Sequence, residues 1–168
     1  VTTGTLPSGG AWSETAETDS TVNNQITITG QTGVISGSHN FGFHQSGTST
    51  IGDTVYYDWD GNGAQGLNEA GLPNVVLYLY EDEDNDGQID GGIDAVVMTQ
   101  TTNSTGQYLF TGLPAGAYTV YIYDEDPGFP TNVAPTADPD ESGTCVTCDA
   151  VGRASVDGTT SLLTQDFG

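Results

Sequence analysis

The chain has no lysine, and Arg153 is its only strongly basic side chain. Against it stand 23 Asp and Glu in 168 residues, a formal charge of -22. A polypeptide with no basic patch cannot neutralise phosphates, which excludes nucleic-acid binding. No apolar run approaches the roughly 20 residues that a membrane-spanning helix requires, so no membrane span is expected. No positively charged signal-peptide start precedes Val1, and the chain reads as a mature or excised segment.

Histidine and cysteine are equally scarce. His39 and His44 are the only histidines, and no Ser or Cys sits in a recognisable nucleophile motif. Carboxylate pairs can serve a glycosidase, but the acids here fall in metal-ligand spacing, so no enzyme is expected. Cys145 and Cys148 lie three residues apart in a turn-rich stretch. An oxidising compartment would let them close a disulfide, although so short a loop contributes little chain-entropy stabilisation. A zinc half-site lacks a second Cys or His pair to complete it, and free thiols are the next reading after the disulfide.

One-sided acidity belongs either to a solvated disordered segment or to a chain that folds around cations. The runs at 75–80 and 118–123, rich in Val, Leu, Ile and Tyr, have the composition of buried strands and favour the second. Residues 1–23 are rich in Thr, Ser, Gly and Glu, with Trp12 as their one large anchor, and read as a linker or irregular arm. Short alternating runs around Ile26–Ile28 and Val34–Ile35 read as strands, and residues 44–50 as a flexible connector. From Ile51 onward strands are expected at 51–57, 73–80, 95–102, 107–110, 117–123, 150–156 and 161–167. Leu113-Pro114-Ala115-Gly116 should make a tight turn, and 124–143 a long loop. The fold expected is all-β, an Ig-like antiparallel sandwich of two sheets.

A partial repeat divides the chain. Asn40-Phe41-Gly42 matches Asp166-Phe167-Gly168, and residues 15–19 match 136–140 in type. Residues 1–43 therefore read as the back part of a preceding repeat or as donor strands, 44–50 as a linker, and 51–168 as one complete module. A tail without its front half needs strands from elsewhere, from upstream chain or from a neighbouring copy by strand addition.

Two loops carry a specific chemistry. Asp58, Asp60, Asn62, Gly63 and Glu69 fit the pattern D-x-[DN]-x-[DN]-G-x5-E at every specified position. Calcium takes several hard oxygen ligands, so carboxylates and amides at alternating positions converge from one curl of backbone. Gly63 permits the sharp turn, the Ala64 carbonyl is available, and Glu69 closes the shell. Asp82, Asp84, Asp86 and Gly87 repeat the start of the pattern, but Ile93 takes its twelfth place. The last ligand there is Asp90 or Asp94. Asp124, Asp126, Asp138 and Asp140 form a looser group, open between a third ion and a solvated loop, and Asp53 is a further contributor beside the first loop. Calcium is thus the expected cofactor, at two sites with a third in question.

The stretch Ile51-Gly52-Asp53-Thr54-Val55-Tyr56-Tyr57-Asp58, the motif Gly66-Leu67-Asn68-Glu69-Ala70-Gly71-Leu72-Pro73, the run from Gly106 to Gly116 and the closing Asp166-Phe167-Gly168 together resemble the B repeat of serine-aspartate repeat surface adhesins. That resemblance implies a calcium-dependent Ig-like sandwich of the Cna-B type, found in tandem in the stalks of cell-surface and secreted proteins. It carries calcium ligation onto Asp58, Asp60, Asn62 and Glu69. Related pilin modules often hold an internal Lys-Asn isopeptide bond, and a lysine-free chain cannot form one.

The function expected is a structural, calcium-stabilised module of an extracellular stalk or self-assembling fibre, whose partners are neighbouring copies or repeats joined by strand addition or end-to-end stacking. An adhesin module that binds a host protein or glycan is the rival reading, with Trp12, Trp59 and the tyrosines as a platform. Asn103-Ser104-Thr105 is an N-glycosylation sequon expected in a hairpin turn.

Overall fold

A computed structural model describes residues 11–16 and 42–168. The strands expected between residues 25 and 41, and His39, lie outside the described residues. Strand β1 (Ala11–Ala16) pairs antiparallel with β2 (Gly42–Ser46), Trp12 opposite Gln45, with a register shift between Glu14 and Ala16. Composition alone favoured an irregular arm and a flexible connector there. Pairing supplies the backbone partners that composition does not reveal.

Seven further strands follow: β3 (Ser49–Thr54), β4 (Val76–Glu81), β5 (Ala95–Thr101), β6 (Gln107–Leu113), β7 (Ala115–Ile122), β8 (Val151–Asp157) and β9 (Ser161–Leu163). Among the described residues there is no helix. The strands form two sheets, ordered β6-β3-β9 and β5-β4-β7-β8. Alternation in β4 and β6 helps to set this layering. In β4 Leu77 and Leu79 are fully buried while Tyr78 and Tyr80 face outward, and in β6 Tyr108 and Phe110 point inward. With Ile51, Val75 and Val120 these side chains fill the space between the sheets.

Two connections differ from expectation. Pro114 alone separates β6 from β7, and these strands belong to different sheets, so the expected turn is a corner between layers. A residue without an N–H cannot continue either ladder, which suits it to that place. The turn at 103–106 likewise joins β5 in one sheet to β6 in the other rather than closing a hairpin. The sandwich is also not wholly antiparallel: β9 runs parallel to β3, with Ile51 opposite Leu162. Because the chain crosses between sheets from β8 to β9, neighbours need not alternate in direction.

Register places the loops. Leu77 of β4 lies opposite Ile122 of β7, and Glu81 opposite Tyr118. The loop entering β4 (58–69) and the long loop leaving β7 (124–149) therefore share one end of the sandwich, while the loop leaving β4 (82–94) starts at the other.

Candidate metal centre

In the first loop the backbone curls around its own acids. The Asp58 carboxylate accepts from the Asn62 amide at 3.1 Å and the Gly63 amide at 2.9 Å. Asn62 Oδ1 accepts from the Ala64 amide at 2.8 Å. Glu69 reaches back to accept from the Trp59 amide at 2.7 Å through Oε1 and from the Gly66 amide at 2.7 Å through Oε2. The result is an oxygen cluster: atoms of Asp58, Asp60 and Glu69 lie within 4.8 Å of one another.

The second loop repeats this arrangement position for position. Asp82 accepts from the Asp86 amide at 3.2 Å and the Gly87 amide at 3.0 Å, and Asp86 Oδ1 from the Gln88 amide at 2.7 Å. Asp94 then accepts from the Glu83 amide at 3.1 Å and the Asp90 amide at 2.7 Å. These are the second and ninth loop positions, the same two that Glu69 serves in the first. One inserted residue thus compensates for a side chain one methylene shorter. Asp90 contributes its amide to the closure, and Asp94 its carboxylate. The backbones agree too, with left-handed residues at the fourth and sixth positions: Gly61 and Gly63 (φ 67° and 75°) in one loop, Asn85 and Gly87 (φ 58° and 75°) in the other. Oxygens of Asp82, Asp84 and Asp86 lie within 4.8 Å of one another.

A third cluster joins Asp138 and Asp140 to Asp149, a residue the sequence reading did not single out. The Asp149 amide donates to Asp138 Oδ2 at 3.2 Å, and Asp138 Oδ1 is buried with no hydrogen-bond partner. The signal that could have found Asp149 is its place immediately after Cys148, where the chain turns back into β8. Asp124 and Asp126 are not in this group. Asp126 accepts from the Gly128 amide at 2.7 Å within its own turn, and Asp124 lines a cavity described below. Asp53 is not in the first-loop cluster; its charge helps, after desolvation, to raise the pKa of Asp166. The structure joins Cys145 to Cys148, Cα atoms 5.5 Å apart, next to this cluster.

Electrostatics separates the clusters. At Asp58 desolvation works to raise the pKa, but the Gly63 amide, the Thr136 hydroxyl and the Asn62 and Gly61 amides outweigh it and hold the carboxyl below its usual range. The Thr136 hydroxyl faces Asp58 without completing a hydrogen bond of regular geometry. Asp84 is pushed up by desolvation and by the charges of Asp86, Asp94 and Asp82. Asp138 is pushed up to about 6 by burial, then by its hydrogen bond to Asp140 and the charges of Asp140 and Asp149. All-oxygen donor sets held under mutual repulsion, one with a buried unpartnered carboxylate oxygen, fit a hard divalent cation such as calcium.

The loops are tied together. Arg153 of β8 donates through Nε to the Gly87 carbonyl at 2.5 Å and pairs with Asp140 through its terminal nitrogen. Thr144 of the long loop donates its hydroxyl to the Gly61 carbonyl at 3.0 Å. At the shared end a cavity of about 440 Å³ opens between the long loop and the sandwich, lined by Tyr57, Trp59, Asp124, Phe129 and their neighbours. Trp59 is 75 % exposed and stacks on Tyr57 at 5.3 Å between centroids. Asn103 is exposed, and its Oδ1 accepts from the amides of Thr105 at 2.9 Å and Gln107 at 3.0 Å.

Fold and clusters define an Ig-like sandwich with acidic, ion-competent loops. The chain belongs to the SdrD B-like domain family, whose model matches residues 49–168. It is 30 % identical over 116 residues to a fibrinogen-binding protein of Staphylococcus epidermidis, covering 69 % of this chain and 9 % of that protein. It is 32 % identical over 113 residues to serine-aspartate repeat-containing protein E of Staphylococcus aureus, covering 67 % and 9 %. Colossin-B of Dictyostelium discoideum is 31 % identical over 90 residues, covering 54 % and 2 %. The chain thus spans less than a tenth of the length of these relatives. Among solved structures the major pilin subunit BcpA of Bacillus cereus aligns with 12 % identity and a TM-score of 0.35, over 75 % of this chain and 34 % of that one. No helix of the described residues is long and apolar enough to cross a membrane.

Proposed function

We propose that this chain is a calcium-stabilised structural module of an extracellular surface stalk or fibre, with residues 51–168 as its complete unit and 1–43 as the tail of a preceding repeat or a donor of strands. One observation carries the calcium reading: two loops of different length close with the same amide-to-carboxylate pattern, Glu69 and Asp94 serving equivalent positions. Asp58, Asp60, Asn62, the Ala64 carbonyl and Glu69 would hold one ion, and Asp82, Asp84, Asp86 and Asp94 a second. Asp138, Asp140 and Asp149 are the candidates for a third. Bound calcium supplies positive charge that cancels repulsion within each cluster, and an ion bound only by the folded chain adds stability by mass action. The chain's own residues do the rest: the left-handed turns aim the carboxylates, and Arg153 and Thr144 tie the loops to one another. Family membership supports a structural role at the cell surface, beside neighbouring repeats stacked end to end.

The experiment is thermal melting of the whole chain with calcium and with EGTA, alongside metal analysis of the purified protein. A melting temperature lower by many degrees in EGTA, with about two or more calcium ions per chain, is expected. Equal melting curves and metal-free protein at millimolar calcium would refute the reading.

A second reading is an adhesin module. It is favoured by exposed Trp59 stacked on Tyr57 at the rim of the cavity, an arrangement suited to a sugar ring or an apolar side chain. A relative named for fibrinogen binding adds to it. Screening the chain against glycans and host extracellular proteins separates the two, since a structural module gives no hits.

A further inference from the structure

The cavity beside the first loop combines aromatic surface with negative charge. Its volume of about 440 Å³ falls in the range that small ligands occupy, roughly 300–1,000 Å³. Three aromatic rings line it, from Tyr57 just before the first loop, Trp59 within that loop and Phe129 of the long loop. Two carboxylates, Asp58 and Asp124, stand among them, and no basic residue does.

These rings are held in place by the fold itself. Tyr57 and Phe129 pack against the core between the sheets. Trp59 stacks on Tyr57 with 25° between the ring planes, and its amide is fixed by the Glu69 carboxylate. The indole nevertheless stays mostly outside the fold, so burial of its apolar surface contributes little to folding. Asp124 is likewise unused by the fold. Among the described residues neither a hydrogen bond nor an ion pair engages its carboxylate, and Arg153, the one strong base, is committed to Asp140 and to the Gly87 carbonyl.

We propose that this cavity binds a small organic cation of the alkylammonium class, seated against the rings of Tyr57, Trp59 and Phe129 and neutralised by Asp124. Ring electronics and charge together select this occupant. The faces of aromatic rings carry negative potential and attract ammonium groups. A cleft lined by one sign of charge focuses the field of the whole chain, here -22, and concentrates cations within it. An anion is repelled by both carboxylates. A neutral apolar molecule covers the rings but takes water from Asp124 without replacing it. A neutral sugar, the occupant considered in the second reading above, stacks on Trp59 and leaves the carboxylate charge uncancelled. An organic cation answers both the rings and the acid. Calcium in the first loop would cancel the charge of Asp58 and leave Asp124 as the acid available to the ligand. The proposal goes beyond both readings above, since it needs neither stacked repeats nor a host partner.

The test is NMR titration of the whole chain at saturating calcium, following amide and indole shifts. The probes are choline, its neutral analogue with a tert-butyl group in place of the trimethylammonium, and methyl glucoside. Choline should bind at least about tenfold more tightly than either neutral probe, with shifts centred on Trp59 and Phe129. Raising NaCl from about 0.05 to about 0.5 M should weaken choline binding, because salt screens the acidic field. Trp59→Ala should weaken it about tenfold or more, Trp59→Phe less, and Asp124→Asn about fivefold. Val146→Ala, in the long loop but outside the cavity lining, should leave it unchanged. Melting curves and calcium content report which variants keep the fold and the first loop. Asp124 is exposed, so Asp124→Asn serves as the folded variant should Trp59→Ala fail to fold. Equal affinity for choline and its neutral analogue, tighter binding of the glucoside, or indifference to Asp124→Asn or to a folded Trp59→Ala would each overturn the proposal. So would the absence of choline binding up to about 50 mM.

Discussion

Gly63 of the first loop rests against Gly143 of the long loop so closely that a Cβ built on Gly63 would lie 2.3 Å from the Gly143 carbonyl oxygen. The contact locks two acidic segments together through backbone alone, at a residue that also needs φ 75°. Gly63→Ala should therefore destabilise the module by about 2 to 4 kcal/mol, combining left-handed strain with overpacking. Gly61 is the control. It has φ 67° but nothing within 4 Å of its built Cβ, so Gly61→Ala should cost only about 1 kcal/mol. Chemical denaturation of the three proteins, with calcium held constant, measures both, and equal losses would show that the contact with Gly143 contributes nothing.

Arg153 is the single strongly basic side chain and spans two acidic segments, bonding the Gly87 carbonyl and the Asp140 carboxylate. Arg153→Met keeps most of the stem's packing while removing both bonds. The side chain is partly exposed, so the expected loss is modest, about 1 kcal/mol. A more telling readout is local: amide hydrogen exchange in 82–94 and 138–149 should accelerate together. Faster exchange in only one segment would mean that Arg153 does not couple them.

In the second loop the sequence left the closing ligand open between Asp90 and Asp94. The hydrogen bonds favour Asp94, which takes the amides that Glu69 takes in the first loop. Asp94→Asn should lower calcium affinity at that loop by about tenfold or more, while Asp90→Asn should change it by less than about threefold. Titration calorimetry of each variant checks the order, and a larger loss at Asp90 would reverse the assignment.

Much of this was legible in advance for a plain physical reason. Alternation in the runs around Leu77 and Tyr108 reports which face is buried, and the spacing from Asp58 to Glu69 reports a curl of backbone. Loop closure in the second site was not legible, because a one-residue insertion breaks the spacing while preserving the geometry. Asp149 was missed for a related reason. Its partners Asp138 and Asp140 lie about ten residues away, across a loop whose path depends on contacts with β8 rather than on local sequence. The sheet changes at Pro114 and at the 103–106 turn were equally hidden, since a tight turn in sequence looks the same whether it closes a hairpin or crosses between layers.

Asp138 predicts a pH dependence for the metal-free protein. Burial and the neighbouring Asp140 and Asp149 raise its carboxyl from the ordinary 3.8 to about 6, so the folded state holds a proton that the unfolded chain has released. Stability from that proton is fully present below the unfolded value and is lost as pH rises through about 4 to 6. Asp58 and Asp157 are shifted downward, so their contributions fade only on acidification below that window. In EDTA the melting temperature should therefore fall between about pH 4 and pH 6. Asp138→Asn, which stays neutral throughout, should reduce that slope, leaving the share of Asp84 and Asp166, whose carboxyls are also raised. An unchanged slope in this variant would place the titrating group elsewhere.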